Sequence, residues 1–216
     1  MDITLIIRWA AALILSYLLG SIPSAYIAGR LRKNVDIREV GSKNSGSMNV
    51  FYSVGFFAGL LVLIVDIGKG VLAILCTQII FDIPNQPVTL MQYVAGVVVV
   101  LGHNYPVWLK FRGGKGGATC IGVLVGCMYW GAPIYLATFL ILMAITKFPT
   151  LSYGIAFIIF PILAMVLYHD PILAIYSVAI LLIPGLLYIP RLREMRQKGG
   201  GSWKRVFKRK SLSDRL

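Results

Sequence analysis

The sequence predicts an all-α, polytopic membrane protein with seven transmembrane helices, two of them short, its N-terminus outside and its C-terminus inside. Three observations predict it. The 216 residues are 58% hydrophobic and 13% charged, with a mean hydropathy of +0.80, whereas a soluble globular chain is about 25% charged. The apolar residues gather into stretches of bilayer-crossing length. The net charge of +13 lies almost wholly between those stretches, as in a polytopic protein with basic loops on one side. Disorder is excluded because apolar surface is abundant, and the length allows one domain or two small ones.

Residues 5–28 form the first span: 24 residues make a helix of about 36 Å, enough to cross a bilayer with some tilt. A signal peptide is the weaker reading, because Asp2 and Arg8 leave no net positive leader and the run is long for an h-region. Residues 50–81 follow, with Asp66 and Lys69 inside them, then residues 90–109. Residues 118–145 are interrupted by Gly131-Ala132-Pro133, and residues 152–168 and 172–189 complete the set. A turn at Gly131-Ala132-Pro133 makes two short spans and a total of seven; without it the total is six. Seven places residues 30–43, residues 110–115, Lys147 and the C-terminal tail on one face, with 19 of the 21 Lys and Arg. The loops left for the opposite face carry Asp82 and Asp170 and no Lys or Arg. The positive-inside rule therefore favours seven. The expected organisation is a membrane domain over residues 1–190 and a basic cytoplasmic tail over residues 191–216. Cys76, Cys120 and Cys127 fall within spans, have no metal-ligand spacing and read as small core hydrophobes.

Two inner loops have unusual compositions. The first runs through Asp36-Ile37-Arg38-Glu39-Val40 into Gly41-Ser42-Lys43-Asn44-Ser45-Gly46-Ser47-Met48-Asn49. Small, glycine-rich sequence folds tightly with converging backbone N–H groups, which makes an anion nest. Arg38 and Lys43 add charge, and Ser42, Asn44, Ser45 and Ser47 add donors. A solvated loop with capping serines is the plainer reading. The second loop contains His103-Asn104 and then Lys110-Phe111-Arg112-Gly113-Gly114-Lys115-Gly116-Gly117. Glycines around one lysine, opening into a helix, are another phosphate-cradle composition. This is not a Walker A loop, because Gly116 stands where Ser or Thr is required. Asp66 and Lys69 share a helix face and neutralise one another, and intramembrane ionisable groups are candidates for a site. Two inner anion cradles point to a lipid-phosphate substrate.

At these residues the sequence resembles the bacterial acyl-phosphate:glycerol-3-phosphate acyltransferases, the PlsY family, over most of residues 12–190. The first family motif is matched by Gly20-Ser21-Ile22-Pro23, Asp36-Ile37-Arg38 and Gly41 to Asn49. A D-x-x-K-G stretch is matched by Asp66, Lys69 and Gly70. The second motif, GHxxPVxLxFxGGKGxAT, is matched by Gly102-His103, Pro106-Val107, Leu109, Phe111, Gly113-Gly114-Lys115-Gly116 and Ala118-Thr119. The resemblance implies a seven-helix fold in the bacterial cell membrane with its site on the cytoplasmic side. It implies transfer of an acyl chain from acyl phosphate to the sn-1 hydroxyl of glycerol 3-phosphate, giving lysophosphatidic acid and phosphate in phospholipid biosynthesis, with no cofactor and no metal. It makes Ser42, Arg38 and His103 catalytic positions. Asn44, Asn49, Gly113, Gly114, Lys115 and Gly116 become substrate- or phosphate-binding positions, to which the charge of the first loop adds Lys43, and Asp66, Lys69 and Glu194 become supporting ones.

The chain departs from the family pattern in four places. Lys43 replaces a glycine, and Tyr52 stands where an arginine follows the first motif. The third motif, HREN, becomes Leu192-Arg193-Glu194-Met195. A leucine accepts no proton and a methionine offers no N–H. A second reading is therefore a diverged member that binds lipid phosphate or acyl phosphate without turnover. A small anion or lipid transporter ranks last, because no internal repeat is visible. The tail, with Trp203 and Phe207 among its basic residues, is expected to contact anionic membrane lipids rather than nucleic acid.

Overall fold

The computed structural model describes residues 2–83, 87–147, 149–198, 200 and 201, and every regular element among them is helical. In chain order these are α1 (Ile3–Ser21), α2 (Ser24–Lys33), α3 (Ser47–Ser53), α4 (Phe56–Phe81), α5 (Leu90–Asn104), a 3-10 turn (Val107–Leu109), α6 (Gly117–Cys127), α7 (Gly131–Thr146), α8 (Pro149–Ala156), α9 (Ile159–Val166) and α10 (Pro171–Lys198). Among the described residues, three stretches are long and apolar enough to cross a membrane: Ile3–Lys33, Phe56–Phe81 and Pro171–Gln197. The remaining apolar helices are shorter.

Each of the expected apolar stretches is helical, but glycine and proline subdivide them. Pro23 lacks an N–H, so the first span ends its ladder at Leu19 O and restarts as α2 at Ser24. Residues 50–81 are not one helix: Gly55, at φ 147°, separates α4 from the short α3, which belongs to the inner loop. Residues 90–109 stop being α-helical at Asn104, and Pro106 opens the 3-10 turn. The break in residues 118–145 falls at residues 128–130, not at Gly131-Ala132-Pro133, which begin α7. A proline in the first helical turn is tolerated because its missing N–H has no intrahelical partner there. Residues 152–168 are divided at Phe157 and Ile158 into α8 and α9. α10 continues past residue 190 to Lys198, so the tail begins as helix; residues 202–216 lie outside the described residues.

Glycines set the helix spacing. A Cβ on Gly122 would be driven into the Ile67 carbonyl, and one on Gly70 into the Thr119 carbonyl, so α4 and α6 meet backbone to backbone. Gly20 and Gly102 bring α1 and α5 together in the same way, against the carbonyls of Val99 and Tyr17. Small-residue contact is how helices associate where lipid removes the hydrophobic drive. Ile74, Val99, Leu124, Met128, Phe160 and Leu173 fill the centre, while Ile64 and Leu182 point outward, 59% and 58% exposed.

The loops sort to two ends. At one, Arg38 Nη1 donates to the Leu109 carbonyl at 3.1 Å and Lys115 lies over the Tyr188 ring at 4.2 Å. At the other, Trp9 meets Phe81 edge-on at 5.5 Å, and the Trp130 N–H donates to the Tyr168 hydroxyl oxygen at 3.4 Å. Gly122→Leu is expected to destabilise the detergent-solubilised protein by about 3 kcal/mol or more, the upper range for overpacking, because the obstacle is backbone. Gly68→Ala, with open space around its Cβ, is expected to stay within about 1 kcal/mol. Thermal unfolding of both variants checks the pair.

Candidate active site

The first inner loop has no ladder of its own and is organised by one side chain. Asn49 is 1% exposed. Its Nδ2 donates to the carbonyls of Ile37 (2.8 Å), Val40 (3.0 Å) and Asn44 (3.0 Å). Its Oδ1 accepts from the Ser42 amide (3.0 Å) and the Ser53 hydroxyl (3.2 Å). At Asn49, an expected phosphate-binding position, the carboxamide is engaged in shaping the loop. Gly41 (φ 57°) and Lys43 (φ 57°) make the sharp reversals. A Cβ on Gly41 would be driven into Asn49 Oδ1. Lys43 occupies the left-handed region that favours glycine, a strain of roughly 1–2 kcal/mol, and its side chain is exposed. Ser42 is half-buried, with its hydroxyl unbonded among the described residues, and the Asn44 amide folds over Gly46.

Arg38 joins this loop to the second. Its Nε and Nη2 grip Asp36 at 3.0 and 2.7 Å while Nη1 holds the Leu109 carbonyl. The guanidinium lies 5.3 Å from the Tyr26 ring centroid. That hydrogen-bonded fork holds the Asp36 carboxyl down at about 2 and raises Arg38 above its ordinary value. A guanidinium so placed clamps the two loops together, at a position expected to be catalytic.

Beneath the loops lies a buried polar network. Asp66 Oδ1 accepts from the Ser24 hydroxyl (2.7 Å) and from Lys69 Nζ (2.9 Å). Lys69 Nζ also lies 2.7 Å from His103 Nδ1 and 3.5 Å from the Ile22 carbonyl. The Asp66 and Lys69 side chains are 1% and 2% exposed, and that of His103 7%. An ammonium has only donors, so Nδ1 accepts and the imidazole proton is assigned to Nε2. With that assignment His103, an expected catalytic position, offers Nε2–H toward the second loop. Ser24, His103, Ser45, Gly113 and Gly114 line a narrow cleft, with Ile22, Pro23 and Pro106 as apolar walls. A Cβ on Gly114 would be driven into His103 Nε2, so glycine lets the loop lie directly on the imidazole.

The second loop divides its amides. Gly113 N–H donates to the Asn104 carbonyl (3.0 Å) and Gly114 N–H to the His103 carbonyl (3.1 Å), closing the end of α5. Those two expected phosphate donors are therefore committed. Among the described residues, the amides of residues 115–119 have no protein acceptor, and they converge at the start of α6 behind Gly116 at φ 83°. Asn104, 4% exposed, lies against Gly116 with neither amide atom paired, and buried Thr119 Oγ1 is likewise unpaired. Lys115 Nζ caps this concavity over Tyr188. Burial, then the nearby Arg191 charge, lower its ammonium to about 8, and Glu194 opposes them.

The end of α10 supplies Tyr188, Arg191 and Glu194 here; Arg191 Nη1 and Glu194 Oε2 are 2.7 Å apart. Leu192 and Arg193 are exposed, Met195 is buried against Leu151, and Tyr52 packs edge-on against Phe51. Sequence reasoning missed Ser24, Asn104, Tyr188 and Arg191. Ser24 and Asn104 directly follow motif residues, which was a usable signal; the α10 pair had none beyond a basic segment.

The profile described as Glycerol-3-phosphate acyltransferase matches residues 10–197. Glycerol-3-phosphate acyltransferase 2 of Dehalococcoides mccartyi (strain ATCC BAA-2266 / KCTC 15142 / 195) is 52% identical over 206 residues, covering 95% of this chain and 96% of that relative. Glycerol-3-phosphate acyltransferase of Synechocystis sp. (strain ATCC 27184 / PCC 6803 / Kazusa) is 40% identical over 165 residues, 74% of each chain. Two crystal structures of PlsY, an integral membrane glycerol 3-phosphate acyltransferase, superimpose on this fold. The glycerol 3-phosphate form has a TM-score of 0.77 at 28% identity, covering 90% of this chain and 94% of that one. The lysophosphatidic acid form has a TM-score of 0.75 at 27% identity, covering 90% and 93%.

Removing Asp66 leaves the buried Lys69 charge uncompensated. Asp66→Ala is expected to cost about 3–5 kcal/mol, and Asp66→Ala with Lys69→Met less than the single change. Thermal unfolding in detergent compares the two.

Proposed function

Because the chain belongs to the glycerol-3-phosphate acyltransferase family, we propose that it uses acyl phosphate as donor and acylates the sn-1 hydroxyl of glycerol 3-phosphate at the cleft between the two glycine-rich loops. The protein is an integral membrane acyltransferase acting on glycerol 3-phosphate. The observation that carries the fuller reading is the seating of Gly114 directly on His103, with Ser45 opposite and the free amides of α6 alongside.

Acyl phosphate is a mixed anhydride with a good leaving group already in place. The glycerol oxygen attacks the carbonyl carbon, the C–O bond to phosphate breaks, and the departing phosphate carries away the hydroxyl proton. The protein holds two phosphates together against their repulsion and aligns the reacting atoms. Lys115 and the α6 amides take the glycerol 3-phosphate phosphate. Ser42 and Asn44 face the acyl phosphate, and the Lys43 ammonium adds charge from the loop surface. His103 donates Nε2–H to the developing oxyanion or to phosphate. Asp66 and Lys69 hold its tautomer, and Arg38 holds the two loops in register. No step needs a strong base, which suits a neutral histidine.

The membrane reading follows the same geometry. The chain crosses seven times, counting α1–α2, α4, α5, α6, α7, α8–α9 and α10, with the site facing the cytoplasm of a bacterial cell. The clamp from Arg38 to Leu109 at one end and the hydrogen bond from the Trp130 backbone N–H to the Tyr168 hydroxyl at the other support this count, as does the basic character of the first end. The tail is read as a contact for anionic lipids. The altered third motif favours one competing reading, binding without turnover, because Leu192 is exposed and Met195 is buried.

Purified protein given acyl phosphate and glycerol 3-phosphate is expected to release phosphate and lysophosphatidic acid in equal amounts; acyl phosphate bound with no release would favour the competing reading. Lys115→Ala and Ser42→Ala are each expected to lower kcat/KM by about 100-fold or more. Lys115 is charged below about 8 and neutral above it, while a phosphate monoester completes its second ionisation near about 6. The KM for glycerol 3-phosphate is therefore expected to be lowest between these values and to rise with pH beyond the upper one. Lys115→Arg, which stays charged, is expected to flatten that alkaline rise.

A further inference from the structure

The last turns of α10 place Tyr188, Arg191 and Glu194 at successive intervals of three, so they share one helix face. That face meets the start of α6, where the Lys115 ammonium rests on the Tyr188 ring at 4.2 Å. Arg191 is held in: its side chain is 14% exposed, against 57% for Glu194. One of its terminal nitrogens binds Glu194 at 2.7 Å, and its remaining N–H groups are uncommitted among the described residues. Two partly buried cations therefore share a single carboxylate, and that carboxylate stands toward solvent. Like charges brought together as solvent is withdrawn disfavour one another, unless an anion lies between them.

The surroundings point to such an anion. The amides of residues 115–119 have no protein acceptor. The Asn104 carboxamide, buried and unpaired, lies against Gly116 from the α5 side. The Tyr153 phenol of α8 lies against Gly117. Arg191 and Glu194 are the charged groups that act on Lys115 among the described residues, with Arg191 holding its ammonium down. A planar guanidinium offers two parallel N–H bonds to phosphate where an ammonium offers a point charge.

We propose that Arg191 is a second phosphate-binding residue, gripping the phosphate of glycerol 3-phosphate together with Lys115 and the start of α6. This rests on the functional reading above and adds to it a contact from α10 at a position outside the family-motif residues named from the sequence. It also gives α10 a direct part in substrate recognition although Leu192 and Met195 have withdrawn from the site.

The test compares wild type, Arg191→Ala, Arg191→Lys and Arg191→Ala/Glu194→Gln in steady-state kinetics with both substrates varied, and in calorimetric titration with glycerol 3-phosphate alone. Loss of a charge-assisted fork is expected to raise the KM and Kd for glycerol 3-phosphate about 10- to 100-fold in Arg191→Ala. The KM for acyl phosphate is expected to move by less than about 2-fold, outside the reach of the lost bond. The double variant is expected to keep the increase, because the bared Glu194 charge is not its cause. Arg191→Lys is expected to show a smaller increase and carries the test if the alanine variant fails to fold. Removing the neighbouring charge also lets Lys115 hold its proton longer, so the alkaline rise in KM is expected at higher pH in Arg191→Ala. A merely structural role would not move that inflection. An active wild type with unchanged KM, Kd and inflection in Arg191→Ala overturns this inference alone. A wild type that neither turns over nor binds glycerol 3-phosphate overturns it together with the functional reading.

Discussion

An ion pair placed where lipid surrounds the helices must find its compensation inside the protein, and the pair between Asp66 and Lys69 finds it through Asp66 Oδ1 and the Lys69 ammonium, while Asp66 Oδ2 stays buried without a partner among the described residues. The carboxylate takes the Ser24 hydroxyl and the ammonium on one oxygen, and the ammonium turns its other protons to His103 and the Ile22 carbonyl. Each contact ties α4 to a different element: Ser24 begins α2, Ile22 ends the first span, and His103 closes α5. The break at Pro23 is part of the arrangement, because it exposes a carbonyl and aims a serine. The imidazole orientation follows, and with it the resting place of Gly114.

Above that network the chain uses single side chains where secondary structure is absent. Asn49 gathers five backbone and side-chain partners and holds the first loop in a shape that needs two left-handed residues. Arg38 commits its whole fork to Asp36 and the Leu109 carbonyl. Both residues have the types expected to touch phosphate, and both hold the loops that present the donors. The Gly113 and Gly114 amides likewise close α5, and the amides left without a protein acceptor are those of residues 115–119.

The departures from the family pattern gain a physical meaning. Lys43 adopts the left-handed conformation that makes glycine the easy choice at its position, so the loop is retained at a backbone cost while its ammonium stays outside. Met195 turns into a small contact with Leu151 and leaves the site. The charge on this side is then carried by Arg191, one turn earlier and facing Lys115.

The apolar runs, their lengths and the placement of basic residues determined the membrane class, the number of helical passes to expect and the end of the bundle where the chemistry gathers, because bilayer crossing and loop charge are properties of composition along the chain. The motif glycines, Asp66, Lys69, His103 and Lys115 were legible for a related reason: charge and glycine are conspicuous in apolar sequence. Which polar side chains hold a loop was decided only by the tertiary structure. A serine or asparagine offers the same donors to a phosphate as to a backbone carbonyl, and the nearest acceptor is known only once the helices are packed. The Trp130 amide bond to Tyr168, the contact between Lys69 and His103 and the seat of Lys115 on Tyr188 depend on the same fact, since each is made with a neighbour distant in sequence.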